Sequence, residues 1–194
     1  MLLIYGLGNN EHKYLKTKHN IGRFIVEQLA AKMGIDFTKK DGIWMASRGQ
    51  IVLTYSNGYM NESGRPLITL INYYKSITED LFILIIQDDS DQFISKAKLL
   101  PAGGTAGHRG IISINQHLSS LKLAPDQLWR LKIGIRQPLN TSKSETFVMN
   151  RISLAEEQKA IEITDILFDN LQLISQLKII KLQGVINSLN KLHQ

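Results

Sequence analysis

The 194-residue chain contains no cysteine, which excludes disulfides and thiolate metal sites. Its five histidines (His12, His19, His108, His117 and His193) include no H-x-x-x-H pair. The usual helical zinc spacing is missing, so no metal is expected. No apolar run approaches the roughly 20 residues of a membrane span. No G-x-x-x-x-G-K-[ST] occurs, so the phosphate cradle of a P-loop is excluded. Ser63 and Thr105 stand in no serine-hydrolase motif. Repeats, low-complexity tracts and linkers are absent as well. A strand begins at the second residue, leaving no room for a leader. The expectation is a cytoplasmic protein, with a mitochondrial location as the alternative.

Acidic residues are scarce in one place. Between Lys96 and Arg136 stand seven basic residues and a single acid, Asp126, so this segment carries the whole +6 of the chain. A local basic field fits a polyanionic partner, most commonly nucleic acid, and equally a solvated surface. The charge and the lack of an apolar surface stripe favour a monomer.

The composition, 43% hydrophobic and 21% charged, is that of a globular protein, and the length suits one domain over residues 1–194. Leu2-Leu3-Ile4-Tyr5 reads as a strand. Ile21, Phe24, Ile25, Leu29 and Met33 recur at helical spacing, predicting a helix over 22–33. Strands are predicted at Ile43–Met45, Ile51–Tyr55, Leu81–Ile86, Lys96–Leu99 and Trp129–Ile135. Helices are predicted at about 66–75 (capped by Ser63) and 110–121. Ser153 and Glu156 match the S-x-x-E capping box, which opens a helical region read as 154–170 and 175–192. Strands alternating with helices predict an α/β domain. Its sheet is twisted, mixed and mostly parallel, with helices on both faces and a C-terminal helical segment.

The strand at Leu2–Tyr5 ends in Gly6-Leu7-Gly8-Asn9. A dinucleotide fingerprint would need a third glycine where Glu11 stands, so that reading fails. Other apolar runs also stop in polar residues: Met60-Asn61 follows Tyr55, Asp88 follows Ile86, and Gly107-His108-Arg109 follows the strand near Leu99. In open α/β sheets such strand ends converge on one cleft. The residue types support hydrolysis by water. His19 would take the proton, and Asp88 would hold the useful tautomer. Asn9 and Asn61 would position the water and donate to the developing oxyanion. Each residue also has a structural reading: Asn20 as a helix N-cap, Asp88 as a turn residue, Met60 as core, His108 as a loop cap.

These segments together resemble the bacterial-type peptidyl-tRNA hydrolase family. The likeness covers about residues 2–150 and rests on Gly6-Leu7-Gly8-Asn9, Tyr14 with Thr17-Lys18-His19-Asn20, Tyr59-Met60-Asn61 with Ser63-Gly64, Gln87-Asp88-Asp89, Gly103–Gly110 and Gly134-Ile135. The resemblance implies cleavage of the ester between a peptide and the 3′ end of tRNA, without a cofactor. It implies His19 as base, Asp88 as its partner, and Asn9 and Asn61 on water and substrate. Tyr14 and Met60 would line the substrate channel, with His108 and Arg109 also at the substrate. Lys132 and Arg130 would meet tRNA phosphates. The chain departs from the family pattern at Asn10 for proline, Leu100 for a lysine, Arg109 for an asparagine and Arg136 in the Gly-Ile-Gly run. These departures keep two alternatives open: a weakly catalytic RNA-binding member of the same fold, and an esterase or amidase acting on another substrate.

Overall fold

The computed structural model describes all residues except 57, 95, 176–178, 193 and 194. One seven-stranded sheet is built from β1 (Leu2–Gly6), β2 (Thr38–Lys40), β3 (Ile43–Arg48), β4 (Ile51–Ser56), β5 (Phe82–Phe93), β6 (Ala97–Pro101) and β7 (Leu128–Arg136). Their order is β2-β3-β4-β1-β5-β7-β6. The four central strands, β4, β1, β5 and β7, run parallel. Antiparallel partners close both edges: β3 and β2 on one side, β6 on the other. The predicted mixed, mostly parallel sheet is present.

The period of two in the apolar runs sorts side chains onto two faces. Leu2 and Ile4 of β1, with Phe82, Leu84 and Ile86 of β5, face a core shared with α1 (Ile21–Met33) and α5 (Leu154–Asp169). The short α6 (Leu171–Ser175) and α7 (Ile179–Leu192) add to that layer. Leu3 and Tyr5, with Ile83 and Ile85, face α2 (Gly64–Lys75) and α3 (Arg109–Leu118). Strands buried on both faces are what a continuous apolar run encodes.

Three features differ from the sequence expectation. β5 does not end at Ile86 but continues to Phe93 through an irregularity between Asp89 and Phe93, so Asp88 is a strand residue, not a turn residue. β2 is entirely exposed and polar, so it carried no alternation to read. The four-residue α4 (Ser144–Phe147) was too short to leave a periodic signal. The helix expected over 175–192 corresponds to the end of α6 and to α7, and its residues 176–178 lie outside the described residues.

Gly22 sets how closely α1 approaches the sheet. A β-carbon there would lie 2.2 Å from the Ile86 carbonyl oxygen. With only hydrogen in that place, the first turn of α1 rests on backbone at the end of β1 and in β5. The amides of Leu7 and Arg23 lock the junction by donating to Ile86 O at 2.9 Å and Leu7 O at 3.0 Å. The 3-10 turn Lys18–Asn20, which leads into α1, is thereby carried over β5.

Candidate active site

The carboxyl ends of β1 and β4 and the outer half of β5 deliver Asn9, Met60, Asn61 and Asp88 to one cavity of about 380 Å³. Tyr14, His19, His108, Arg109 and Lys132 also line it. Convergence at the carboxyl edge brings in the first four, as expected. It does not bring in His108. β6 is antiparallel, and Pro101 pairs with Trp129 at the opposite end of β7. Residues 102–108 run back along the sheet, and α3 then starts beside Asp88. The glycine loop, rather than a strand end, places His108 and Arg109.

At the centre, one carboxylate oxygen serves two imidazoles. His19 Nδ1 lies 2.8 Å from Asp88 Oδ1, and His108 Nε2 lies 2.9 Å from the same atom. The ring centroids are 4.9 Å apart. His108 is the N-cap of α3, and its Nδ1 accepts from the Gly110 amide at 3.1 Å. That bond fixes the proton on His108 Nε2, which donates to Asp88. His108 therefore caps α3 and lines the cavity at the same time. His19 donates from Nδ1 to Asp88, so its Nε2 remains available as an acceptor toward the cavity.

Burial favours neutral forms here, but the pairing outweighs it. Burial pushes His19 down, whereas the adjacent Asp88 carboxylate pushes it up further, with Arg109 opposing; the net shift is upward. Burial raises Asp88, but His19 and His108 hold it well below the usual carboxylate range. Asp88 is thus a permanent carboxylate that holds and polarises a base.

Asn9 is oriented by its surroundings. Its Oδ1 accepts from the Met60 amide at 2.7 Å, which turns its Nδ2 to the cavity. Asn20 holds the Asn9 backbone from both sides: Oδ1 accepts from Asn9 N, and Nδ2 donates to Asn9 O, each at 2.8 Å. Asn20 occupies the N-cap position of α1, yet its side chain makes no cap bond. Ser63 likewise makes no cap bond to α2 and instead donates to Met60 O at 2.7 Å. Both polar side chains brace site backbone instead of capping helices. Asn61 is exposed on the cavity wall.

The basic residues divide. Lys132 lines the cavity and pairs with Asp89 at 2.7 Å. Burial raises Asp89, but hydrogen bonds from Lys132, Asp91 and Gln92 hold it below the usual range. Arg130, expected beside Lys132 at tRNA phosphates, is only 6% exposed on β7 and is not in the cavity wall. Its guanidinium backs the glycine loop near Gly103. Arg109 is exposed at the cavity mouth, in the first turn of α3.

Sequence reasoning missed the support beneath His19. The His19 amide donates to Val148 O at 2.8 Å, and the Lys18 amide donates to Asn150 O at 2.9 Å. Lys18 Nζ is buried against Glu156 Oε1 at 2.5 Å. Glu156 is at the same time the acid of the Ser153 capping box, which is present. Arg136 ties the outer wall down. It donates to Ser90 O at 2.7 Å, Asn140 O at 2.8 Å and Ser142 O at 3.1 Å, and lies 4.9 Å from the Phe147 ring centroid. Ser144, Glu145, Val148 and Met149 form that wall, and no described residue beyond Met149 lines the cavity. His19, Asp88 and His108 also place three potential ligand atoms within 4.8 Å of one another. Their separation along the chain hides this from spacing rules.

Known proteins resemble this chain in sequence and in fold. The family model for peptidyl-tRNA hydrolase matches residues 3–194, so the likeness extends past the 2–150 read from motifs. A peptidyl-tRNA hydrolase of Lactobacillus helveticus is 40% identical over 147 residues, covering 73% of this chain and 76% of the relative. One from Clostridium acetobutylicum is 32% identical over 196 residues, covering 98% and 97%. The crystal structure of peptidyl-tRNA hydrolase from Acinetobacter baumannii superposes with a TM-score of 0.81 at 28% identity, over 96% of this chain and 94% of that one. Matching motifs, a shared fold and near-complete coverage lead to one conclusion: this chain belongs to the peptidyl-tRNA hydrolase family.

Proposed function

We propose that this protein hydrolyses the ester between a peptide, or an N-blocked amino acid, and the 3′ end of tRNA, with His19 as general base on water. The observation that carries the reading is the shared Asp88 oxygen, which holds His19 in the tautomer whose Nε2 accepts a proton. Water approaches between His19 Nε2 and the Asn9 amide. His19 takes its proton as the oxygen attacks the ester carbonyl. Asn9 Nδ2 and Asn61 donate to the carbonyl oxygen as charge develops there. The C–O bond to the ribose then breaks, and the leaving 3′ oxygen recovers the proton from the imidazolium. Tyr14 and Met60 form the channel wall, and Arg109 and Lys132 face the nucleotide phosphates. Because Arg130 is buried, it acts on this contact through the glycine loop.

Residues 1–194 act as one unit, and the proposed site needs no second copy, in keeping with a monomer working in the cytoplasm, where tRNA is used. Among the described residues no helix is long and apolar enough to cross a membrane. The test is single-turnover hydrolysis of N-acetyl-aminoacyl-tRNA by the wild type and His19→Ala, with chelator present. Loss of a general base should slow the variant by roughly 10²–10⁴-fold with tRNA affinity retained. Undiminished cleavage by His19→Ala overturns the mechanism. No cleavage by either protein, with salt-sensitive tRNA binding retained, would favour the RNA-binding alternative.

A further inference from the structure

A second cavity, of about 370 Å³, is lined by His12, Lys13, Leu15, Lys16 and Arg151. It shares no lining residue with the active site. Four of its five residues are basic types, and no acidic side chain lines it. Lys13 is paired with Glu11 at 2.7 Å. Lys16 and Arg151 are exposed and have no acidic partner among the described residues. None of these residues belongs to the 96–136 segment that holds the chain's charge excess.

The backbone that forms this cavity also forms the active-site wall. Tyr14 and His19 face the catalytic cavity from the segment that carries His12, Lys13 and Lys16 outward. Val148 and Met149 face it from the segment that carries Arg151. The two segments are joined by a bridge between Thr17 and Arg151 and by the Ile152 amide donating to Lys16 O at 2.9 Å. Two unpaired cations at a concavity focus a positive field. An arginine and a lysine at one site match a phosphate, the first as a planar fork and the second as a point charge.

We infer that the His12–Lys13–Lys16–Arg151 cavity docks a backbone phosphate of the RNA whose 3′ end enters the active site. The inference rests on the function proposed above. It adds a contact on the outer side of the His19 segment to the one at Lys132. Leu15 gives the cavity an apolar floor, and the bridged backbone holds Lys16 and Arg151 at a fixed spacing.

The test compares the wild type, Lys16→Gln, Arg151→Gln and the double variant, with Lys39→Gln/Lys40→Gln on edge strand β2 as a charge-matched control. Binding of deacylated tRNA is measured across a salt series, and hydrolysis is measured on N-acetyl-aminoacyl-tRNA and on N-acetyl-aminoacyl-adenosine. Each lost phosphate contact should flatten the log K against log salt slope by about 1. The double variant should bind tRNA roughly tenfold more weakly at low salt, while cleavage of the adenosine ester is unchanged. Both substituted side chains are exposed and the backbone bridge is kept, and the single variants report separately if the double one is unstable. An unchanged slope overturns the inference, as does an equal loss in the β2 control. A loss confined to substrates with acidic peptides would assign the cavity to the peptide and overturn it too. If the wild type neither cleaves nor binds tRNA, the proposed function itself fails. Cleavage with an unchanged slope in the double variant removes only this site.

Discussion

Lys18 and Glu156, 138 residues apart in the chain, form an ion pair with Nζ and Oε1 2.5 Å apart and almost no water contact on either side chain. Lys18 also reaches Ile135 O at 3.4 Å. The pair therefore joins the start of α5, the end of β7 and the residue before His19. Removing one partner strands a buried charge, which typically costs about 3–5 kcal/mol. Lys18→Met or Glu156→Leu alone should lower stability on that scale in urea unfolding. The double variant should recover much of the loss. A double variant as unstable as the sum of the singles would show that the two side chains do not act as a pair.

Activity and stability should respond to pH in opposite directions around neutrality. His19 must be neutral to accept a proton, and its pKa lies above the usual value of about 6.5. The acid limb of kcat/KM should therefore fall above that value. A raised folded-state pKa contributes stability that is full below the unfolded pKa and fades as pH rises through the folded one. Asp88, held low, contributes above its unfolded value of about 3.9, and this is lost as pH falls through its folded pKa. The His19–Asp88 attraction thus contributes most between about pH 4 and 6.5. Asp88→Asn should move the acid limb to lower pH, reduce the rate and flatten the stability profile across this window. A limb that stays in place would disconnect Asp88 from His19.

Arg109 adds a positive charge that opposes protonation of His19. Arg109→Asn, which restores the residue typical of the family, should move the acid limb to higher pH. It should also weaken tRNA binding and reduce its salt slope by about 1, if the guanidinium meets a phosphate. A pH–rate profile on a small adenosine ester separates the two effects, because only the first remains there. An identical limb in wild type and variant would remove Arg109 from the electrostatics of the base.

Arg136 binds three carbonyl oxygens in two segments and faces the Phe147 ring. Arg136→Gly should release residues 140–149 from Ser90 and loosen the wall formed by Ser144, Glu145, Val148 and Met149. KM for peptidyl-tRNA should rise several-fold, with kcat nearly unchanged, and stability should fall by roughly 1–3 kcal/mol. Arg136→Lys keeps the cation but loses the fork, and should fall between the two. A fall in kcat at constant KM would place the effect on the chemistry instead.

Much of the site was legible because its parts are local. A strand ending in Gly6-Leu7-Gly8-Asn9, a His-Asn pair at a helix start and Asp88 after an apolar run each announce themselves within about ten residues. The structure brings Asn9, His19 and Asp88 to one cavity. Roles that depend on a partner far along the chain were not legible. Asn20 and Ser63 look like N-caps because their local spacing is that of caps. Their amide and hydroxyl are nevertheless taken by the backbone of Asn9 and Met60. Arg130 and Lys132 share one face of β7 by the period of two, yet Arg130 lies further from the carboxyl end, buried near Gly103 of the glycine loop, and only Lys132 reaches the cavity.

The sequence by itself determined the layered α/β class, the alternation that sorts β1 and β5 side chains between two cores, and the residue types available for hydrolysis by water. These follow from periodicity and composition, which are properties of neighbours along the chain. Only the tertiary structure decided that His19 and His108 share one oxygen of Asp88 and that Glu156 underpins Lys18. Hydrogen-bond partners and ion pairs are fixed by distances of a few ångströms between segments 20 to 138 residues apart. These distances depend on close approaches such as that of Gly22 to Ile86, which exist only once sheet and helices are packed.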